Sequence, residues 1–316
     1  MALLQARACS LLILTISGRP MENYPRLARE RVAAMHEAAA ARPERAVAFQ
    51  GAPGAYSHQA VRELYPDRLP VPCFSFEDAL DSVIEGRVGC AVIPIENSLH
   101  GRVADIHFLL PESGLVIVDE HFVRVRHCLL ALPGATGVDE VISHPQALGQ
   151  VRKYTRAHGI RPVAFADTAA AAAHIAEGND RRTGAIASAL AGELYGLVPL
   201  AEGIEDESHN TTRFVVLARE MQTPPPGEPA MTSLVFEVKN VPAALFKALG
   251  GFATNGVNIT KLESYQRGGS FNATEFFADI EGVPEDPQVE RALEELRFHS
   301  KWVRLLGSYR QARPRA

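Results

Sequence analysis

One tryptophan and four cysteines are all that 316 residues carry of these two types, and Cys9, Cys73, Cys90 and Cys128 stand far apart with no CxxC pair. That spacing excludes a zinc ribbon and a disulfide framework and predicts reduced, buried thiols. No sign of charge dominates: Lys and Arg total 32 against 37 Asp and Glu, a net of -5. The basic footprint of a nucleic-acid binder is therefore missing, and small molecules are the expected partners. A long apolar run is missing too. The stretch 11–16 behind Arg7 resembles the middle of a signal peptide, but no Ala-x-Ala site follows and 21–45 is charged and alanine-rich. It falls far short of the ~20 residues that cross a bilayer. Residues 1–45 are therefore expected to lie outside the fold, as a disordered or non-native extension with Met21 an alternative start, on a cytoplasmic protein with no membrane partner.

What is present is ordinary globular composition, 47% hydrophobic and 22% charged, enough to bury a core in about two to three domains. From Ala46 onward short β-branched runs alternate with Ala- and Leu-rich stretches of helical period, which predicts an α/β fold with parallel or mixed sheets. Strands are expected over 46–50, 71–74, 90–95, 115–125, 141–143, 162–165, 185–187 and 213–218, with helices between. Ser75, and either Asp167 or Thr168, are suited to cap two of those helices. Residues 221–230 hold Pro224, Pro225, Pro226, Pro229 and Gly227, a composition that forms an extended linker between domains. Beyond it the order is strand 233–239, helix 243–254, strand 258–265, strand 272–280, helix 287–298 and strand 303–307, a ferredoxin-like βαββαβ unit over 231–310.

Four polar clusters stand at expected strand ends, where open α/β sheets present ligand sites. Gly51-Ala52-Pro53-Gly54-Ala55-Tyr56-Ser57 is a glycine-rich strand-to-helix turn that either attracts an anion through its amides or simply closes tightly; it lacks the GK[ST] ending of a P-loop. Pro94-Ile95-Glu96-Asn97-Ser98-Leu99-His100-Gly101 concentrates donors and acceptors on one strand end, as a plain surface turn also does. Ser143-His144-Pro145-Gln146-Ala147-Leu148 ends a strand and opens a helix, with Pro145 suited to the first turn and Ser143 either a cap or a binding hydroxyl. Asn210-Thr211-Thr212-Arg213-Phe214 opens an apolar strand, and its guanidinium either holds a carboxylate bidentately or locks local structure through an ion pair.

These GxxGxYS, PxENS, SHPQAL and TRF segments, in this order, resemble the prephenate dehydratase family, and with the linker and the ferredoxin-like unit the resemblance covers residues 46–310. It implies a two-lobed, periplasmic-binding-protein-like catalytic region over 46–220, one lobe being 46–120 with 206–220 and the other 121–205, and a C-terminal ACT domain. The implied reaction turns prephenate into phenylpyruvate for phenylalanine biosynthesis, with loss of carbon dioxide and water, by a carbon–oxygen lyase that needs no cofactor and no metal. By resemblance Thr212 assists hydroxide departure, as a hydrogen-bond donor or relay rather than as an unaided acid. Glu96, Asn97, His144 and Gln146 would surround the ring hydroxyl and the carboxylates, and Gly54, Ala55, Tyr56, Ser57, Ser98, Ser143, Arg213 and Phe214 would complete the substrate site. Prephenate is a dianion, so helix starts near 54–57 and 143–146, with Arg213, are expected to hold it.

The ACT resemblance implies feedback by L-phenylalanine and a homodimer or homotetramer. Its ligand residues would be Asn240, Ala243, Ala244, Leu245, Glu263 and Ser264, beside the turn 268–271. Ala243 stands where the family has the glycine of Gly-Ala-Leu, and Tyr265-Gln266 where it has the Arg-Pro of Glu-Ser-Arg-Pro. Phenylalanine binding with altered affinity is the expectation. Arogenate dehydratase, on the same scaffold, is the enzymatic rival. A non-catalytic amino-acid sensor is the rival from another class, and Thr212, Glu96, Asn97 and Gln146 together weigh against it.

Overall fold

The computed structural model describes residues 23–225, 227–266 and 274–315. Cys9, the stretch 11–16 and the turn 268–271 lie outside them. The β-branched runs form β1 (Ala46–Gln50), β2 (Leu69–Cys73) and β3 (Cys90–Asn97), with β1 parallel to both neighbours. A two-residue β4 (Gly101–Arg102) folds back on β3, and β5 (Val116–Arg124) follows. Then come β6 (Cys128–Ala131), β7 (Glu140–Ser143), β8 (Arg161–Ala164), β9 (Thr183–Ala187), β10 (Val198–Glu202) and β11 (Thr211–Ala218). One sheet has the order β2-β1-β3-β11-β5; the second runs β10-β6-β9-β7-β8, with β7 parallel to β8 and β9 and β6 antiparallel to β9 and β10. The third contains β12 (Ala230–Val238), β13 (Ile259–Tyr265), β14 (Glu275–Glu281) and β15 (Ser300–Arg310) in the order β13-β14-β12-β15, fully antiparallel, with helices Ala244–Thr254 and Pro287–His299 in the βαββαβ sequence. This is the α/β, two-lobe-plus-ACT arrangement expected.

Local chemistry sets the helix starts. Ser75 forms a capping box with Asp78, its Oγ accepting from the Asp78 amide at 3.1 Å while its own amide donates to Asp78 Oδ2 at 3.2 Å. Asp167 rather than Thr168 caps helix Thr168–Glu177, accepting from the Ala170 amide at 2.8 Å. Three short strands escape a pattern reading. β4 spans two residues, β6 four, and β10, on a sheet edge, contains Pro199, a residue most readily accommodated at an edge.

The expectation that residues 1–45 lie outside the fold is corrected over 24–45. Residues Arg26–Ala40 form a helix whose Ala28 is fully buried and, with Tyr24, joins a core containing Ala169–Ala173 of helix Thr168–Glu177. The alanine run leaves a shallow groove that a second alanine-rich helix can enter closely. Polar ties hold it there: the Leu27 amide donates to Glu177 Oε1 at 2.5 Å, His36 Nε2 lies 2.9 Å from the Pro72 carbonyl, and Arg31 donates to the Leu194 carbonyl.

The chain divides into two units inside β5 and β11: one takes the described residues to Val103 plus Phe122–Phe214, the other Ala104–His121 plus Val215 onward. Thus helix Ala104–Ser113 and the start of β5, read from sequence as part of the first catalytic lobe, group with the C-terminal unit. Three features of that unit explain it. Gly307, at φ 151°, lies against the Ile117 backbone so closely that a Cβ would collide with the Ile117 carbonyl oxygen. Tyr265 Oη lies 2.6 Å from His107 Nδ1, both side chains buried. Glu120, 1% exposed, accepts from the Ala312 amide at 3.0 Å and from Arg315 Nη2 at 2.5 Å.

Ala243 is the only described non-glycine residue at positive φ, 60°. The turn keeps a left-handed conformation that glycine would adopt freely and that costs an L-residue about 1–2 kcal/mol. Ala243→Gly should accordingly raise this unit's unfolding free energy by about 0.5–1 kcal/mol, read by urea titration.

Candidate active site

β3 and β11 are sheet neighbours, so the polar ends of both strands meet. Asn97 Nδ2 donates to Asn210 Oδ1 at 2.8 Å and to Thr212 Oγ1 at 3.0 Å. Asn97 Oδ1 accepts from the Leu99 and His100 amides at 3.0 and 3.1 Å, which fixes which way the amide faces. With a hydrogen bond already received, the Thr212 hydroxyl keeps its own hydrogen to donate.

Thr212 and Asn97 line a cavity of 370 Å³ with Tyr56, His100, Arg102, His127, His144, Gln146, Gln150 and Asp167. Expected residues Tyr56, Asn97, His144, Gln146 and Thr212 are brought together here. His100, His127 and Gln150 were not singled out. Tyr56 Oη donates to the Arg126 carbonyl at 2.8 Å and stands 3.0 Å from His127 Nδ1. His127 Nε2 lies 2.6 Å from Gln150 Oε1, and Gln150 Nε2 lies 3.3 Å from His100 Nδ1. Burial pushes the Tyr56 pKa well up and the His127 pKa down, so both stay neutral; Nε2–H of His127 then donates to Gln150. A signal for Gln150 existed: it lies four residues after Gln146, on the same side of a helix beginning there.

Other expected residues are placed away from the cavity lining. Arg213, 5% exposed, points an Nη1 at Glu96 Oε2, 3.7 Å off, the ion-pair arrangement that was one of its two sequence alternatives. Phe214, 1% exposed, is core. Ser143 does not cap: its Oγ donates to the Ile186 carbonyl at 2.6 Å, and His144 Nδ1 caps instead, accepting from the Gln146 amide at 3.2 Å. Ser98 Oγ bridges β3 to β11, donating to the His209 carbonyl and accepting from the Thr211 amide.

The glycine-rich turn is tightly packed at Gly54. The Gly54 amide donates to His58 Nδ1 at 3.1 Å, its carbonyl accepts from Ser188 Oγ at 2.6 Å, and a Cβ there would fall 2.8 Å from Ala191 Cα. Ala55 and Ser57 are buried beneath it. His58, stacked on Phe49, must stay unprotonated at Nδ1 to receive that amide, and burial pushes its pKa down to about 4. A folded pKa below the unfolded ~6.5 means the unfolded chain takes up the proton first. Stability contributed by neutral His58 is therefore whole above pH ~6.5 and is lost as pH falls toward 4, by roughly 3 kcal/mol at most. Urea unfolding across that range should show the slope, and His58→Gln should flatten it.

In the C-terminal unit the registers Phe236↔Phe276 and Ser264↔Phe276 set the ends of β12 and β13 at one end of the sheet. Asn240 and Ala243–Leu245 follow β12 directly, and Glu263 and Ser264 lie on β13, so both expected ligand segments share that end. Cys73, Cys90 and Cys128 are free and buried, and burial raises all three thiol pKa values. Among the described residues no group of three or more His, Cys, Asp or Glu side chains is arranged to hold a metal, and no helix is long and apolar enough to cross a membrane.

A prephenate dehydratase family model matches residues 47–222 and an ACT domain model residues 232–298. A bifunctional N-acyl-homoserine lactone acylase/prephenate dehydratase of Komagataeibacter europaeus is 51% identical over 269 residues, 84% of this chain and 96% of the relative. Arogenate dehydratase/prephenate dehydratase 1 of Arabidopsis thaliana is 39% identical, covering 83% of this chain and 71% of the relative. Prephenate dehydratase from Arthrobacter aurescens, solved in complex with L-Phe, is 31% identical with a TM-score of 0.77, covering 84% of this chain and 90% of that one.

Proposed function

The chain belongs to the prephenate dehydratase family and carries an ACT domain, and from that premise we propose that it converts prephenate to phenylpyruvate in the cytoplasm, without cofactor, as a homodimer or homotetramer regulated by L-phenylalanine. The observation that carries this is the Asn97–Thr212 hydrogen bond, which leaves one hydroxyl hydrogen to give to a departing oxygen. The ring C–O bond breaks as the electrons of the C–carboxylate bond enter the ring. Carbon dioxide leaves, the hydroxyl leaves as water with one proton added, and aromatisation drives the sum. The enclosing residues orient the substrate and exclude bulk water.

Arg102 on the cavity wall supplies a guanidinium for a carboxylate. The cavity's Asp167 is occupied by the Ala170, Ala169 and Ala52 amides, although burial is the larger influence and raises its pKa. That balance favours the dicarboxylate. A second reading, arogenate, has its own observation: a neighbouring cavity sharing His100, Gln146 and Gln150 carries Glu205, Asp206 and Glu207, acceptors for an ammonium. Side-by-side turnover assays decide. Prephenate should give the higher kcat/KM; a higher value for arogenate assigns the second reading, and turnover of neither rejects both. An N-acyl-homoserine lactone, the substrate class in the name of the 51% identical relative, belongs in the same panel. Titration calorimetry with L-phenylalanine should show binding, and no heat together with unchanged kinetics rejects the regulatory reading.

A further inference from the structure

We propose that Asn210 is a positioning residue for the reaction: it fixes the Asn97 amide and, through it, the Thr212 hydroxyl, an inference that rests on the dehydratase reading above. Asn210 stands immediately before β11, two residues ahead of Thr212, and is fully buried. Its backbone is tied on both sides, the carbonyl accepting from the Val125 amide at 2.9 Å and the amide donating to the Glu207 carbonyl at 3.4 Å. Its side chain meets Asn97 alone, with Asn97 Nδ2 donating to Asn210 Oδ1 at 2.8 Å.

The direction of that bond is forced. Backbone amides can only donate, so the Leu99 and His100 amides that meet Asn97 mark its Oδ1, and the end turned to Asn210 is the nitrogen. Asn210 must answer with oxygen. Its own Nδ2 is thereby turned inward, where it is buried and meets no acceptor among the described residues. A buried donor that has given up water for nothing is a net cost to folding, one that leucine, of similar volume, would not carry. Stability therefore does not account for asparagine at this position.

Orientation at Asn97 does. The planar NH2 group has two hydrogens in fixed directions, one given to Asn210 at 2.8 Å and the other to Thr212 Oγ1 at 3.0 Å, while the Thr211 carbonyl, 3.4 Å from the same nitrogen, competes for them. Without the Asn210 oxygen the group is free to turn toward that carbonyl. Thr212 Oγ1 then loses the donor that leaves its own hydrogen for the departing oxygen. Asn210 is not on the wall of the 370 Å³ cavity that Asn97 and Thr212 line, and borders the neighbouring one instead. Its effect therefore falls on kcat rather than on substrate binding.

The test is kcat and KM, with prephenate or arogenate, whichever is the better substrate, for the full-length wild type, Asn210→Leu, Asn97→Ala and the double variant, with urea unfolding of each. Asn210→Leu should fold and lose about 10- to 100-fold in kcat, the scale on which a misplaced group slows a reaction, with KM within about twofold. Because Asn210 acts through Asn97, the double variant should be no slower than Asn97→Ala alone. Asn210→Asp, which keeps an acceptor oxygen, should recover part of the rate. Where leucine does not fold, Asn210→Ala takes its place in the cycle. The proposal is overturned by kcat within about twofold of wild type, by a loss carried in KM with kcat kept, by a full loss repeated on top of Asn97→Ala, or by a folded aspartate variant no faster than the leucine one. Wild type inactive on prephenate and arogenate alike overturns the dehydratase reading itself, a separate and distinguishable failure.

Discussion

Thr212→Ala should lower kcat by about 10²- to 10⁴-fold, the usual worth of a group that assists proton transfer, with KM little changed, since in the proposed reaction the hydroxyl acts on the leaving group rather than in ground-state binding. Folding should be intact. Thr212 is half-buried at the end of β11, and its side-chain bond is received from Asn97, which retains Asn210 as a partner. Thr212→Ser should keep part of the rate, since the hydroxyl remains but loses the methyl that restricts its rotamer. Asn97→Ala should mimic the loss by a different route, leaving Thr212 in place but unoriented. Stopped-flow absorbance at the phenylpyruvate band, alongside urea unfolding of each variant, separates chemistry from stability. A Thr212→Ala enzyme with near wild-type kcat would remove the assignment.

Gly307→Ala should destabilise the C-terminal unit by about 3 kcal/mol or more, because the added Cβ has nowhere to go except into the Ile117 backbone. Backbone cannot rotate aside as a flexible side chain can. By comparison Gly256→Ala, at φ 70° with open space around it, should cost only the backbone strain of about 1 kcal/mol. Denaturant titration of the two variants in parallel reads the difference.

Most of the scaffold was legible because its signals are local. β1 spans the short apolar run before the Gly51 turn, Ser75 caps where Ser-x-x-Asp stands, and the βαββαβ order follows from period and turns. The site was legible in part. Asn97 and Thr212 sit in motifs whose density of polar groups marks them, and the structure bonds them to each other. What sequence could not separate was direction and partner. Gly54 and Arg213 are both of types that bind anions, yet one spends its amide on His58 and the other faces Glu96, relations between residues 4 and 117 positions apart. His127 lies in a short connection between two strands with no motif around it, and the approach of Tyr56 and Gln150 is visible only in the fold. Residues 24–45 were lost for a similar reason: the groove they fill is made of alanines that look featureless until two helices are laid together.

The ties of Ile117, His107 and Glu120 to residues beyond the proline-rich segment bear on where the chain can be cut. Stopping the chain at the proline-rich segment looks like a clean excision of the ACT domain, but it would strip Tyr265, Gly307 and Arg315 from residues that belong to the same folded body. A buried histidine and an almost fully buried carboxylate would be left facing water or one another's chains. Truncated protein should therefore aggregate rather than fold as an isolated catalytic domain, and an activity assay is better made on the full chain with single substitutions than on a shortened one.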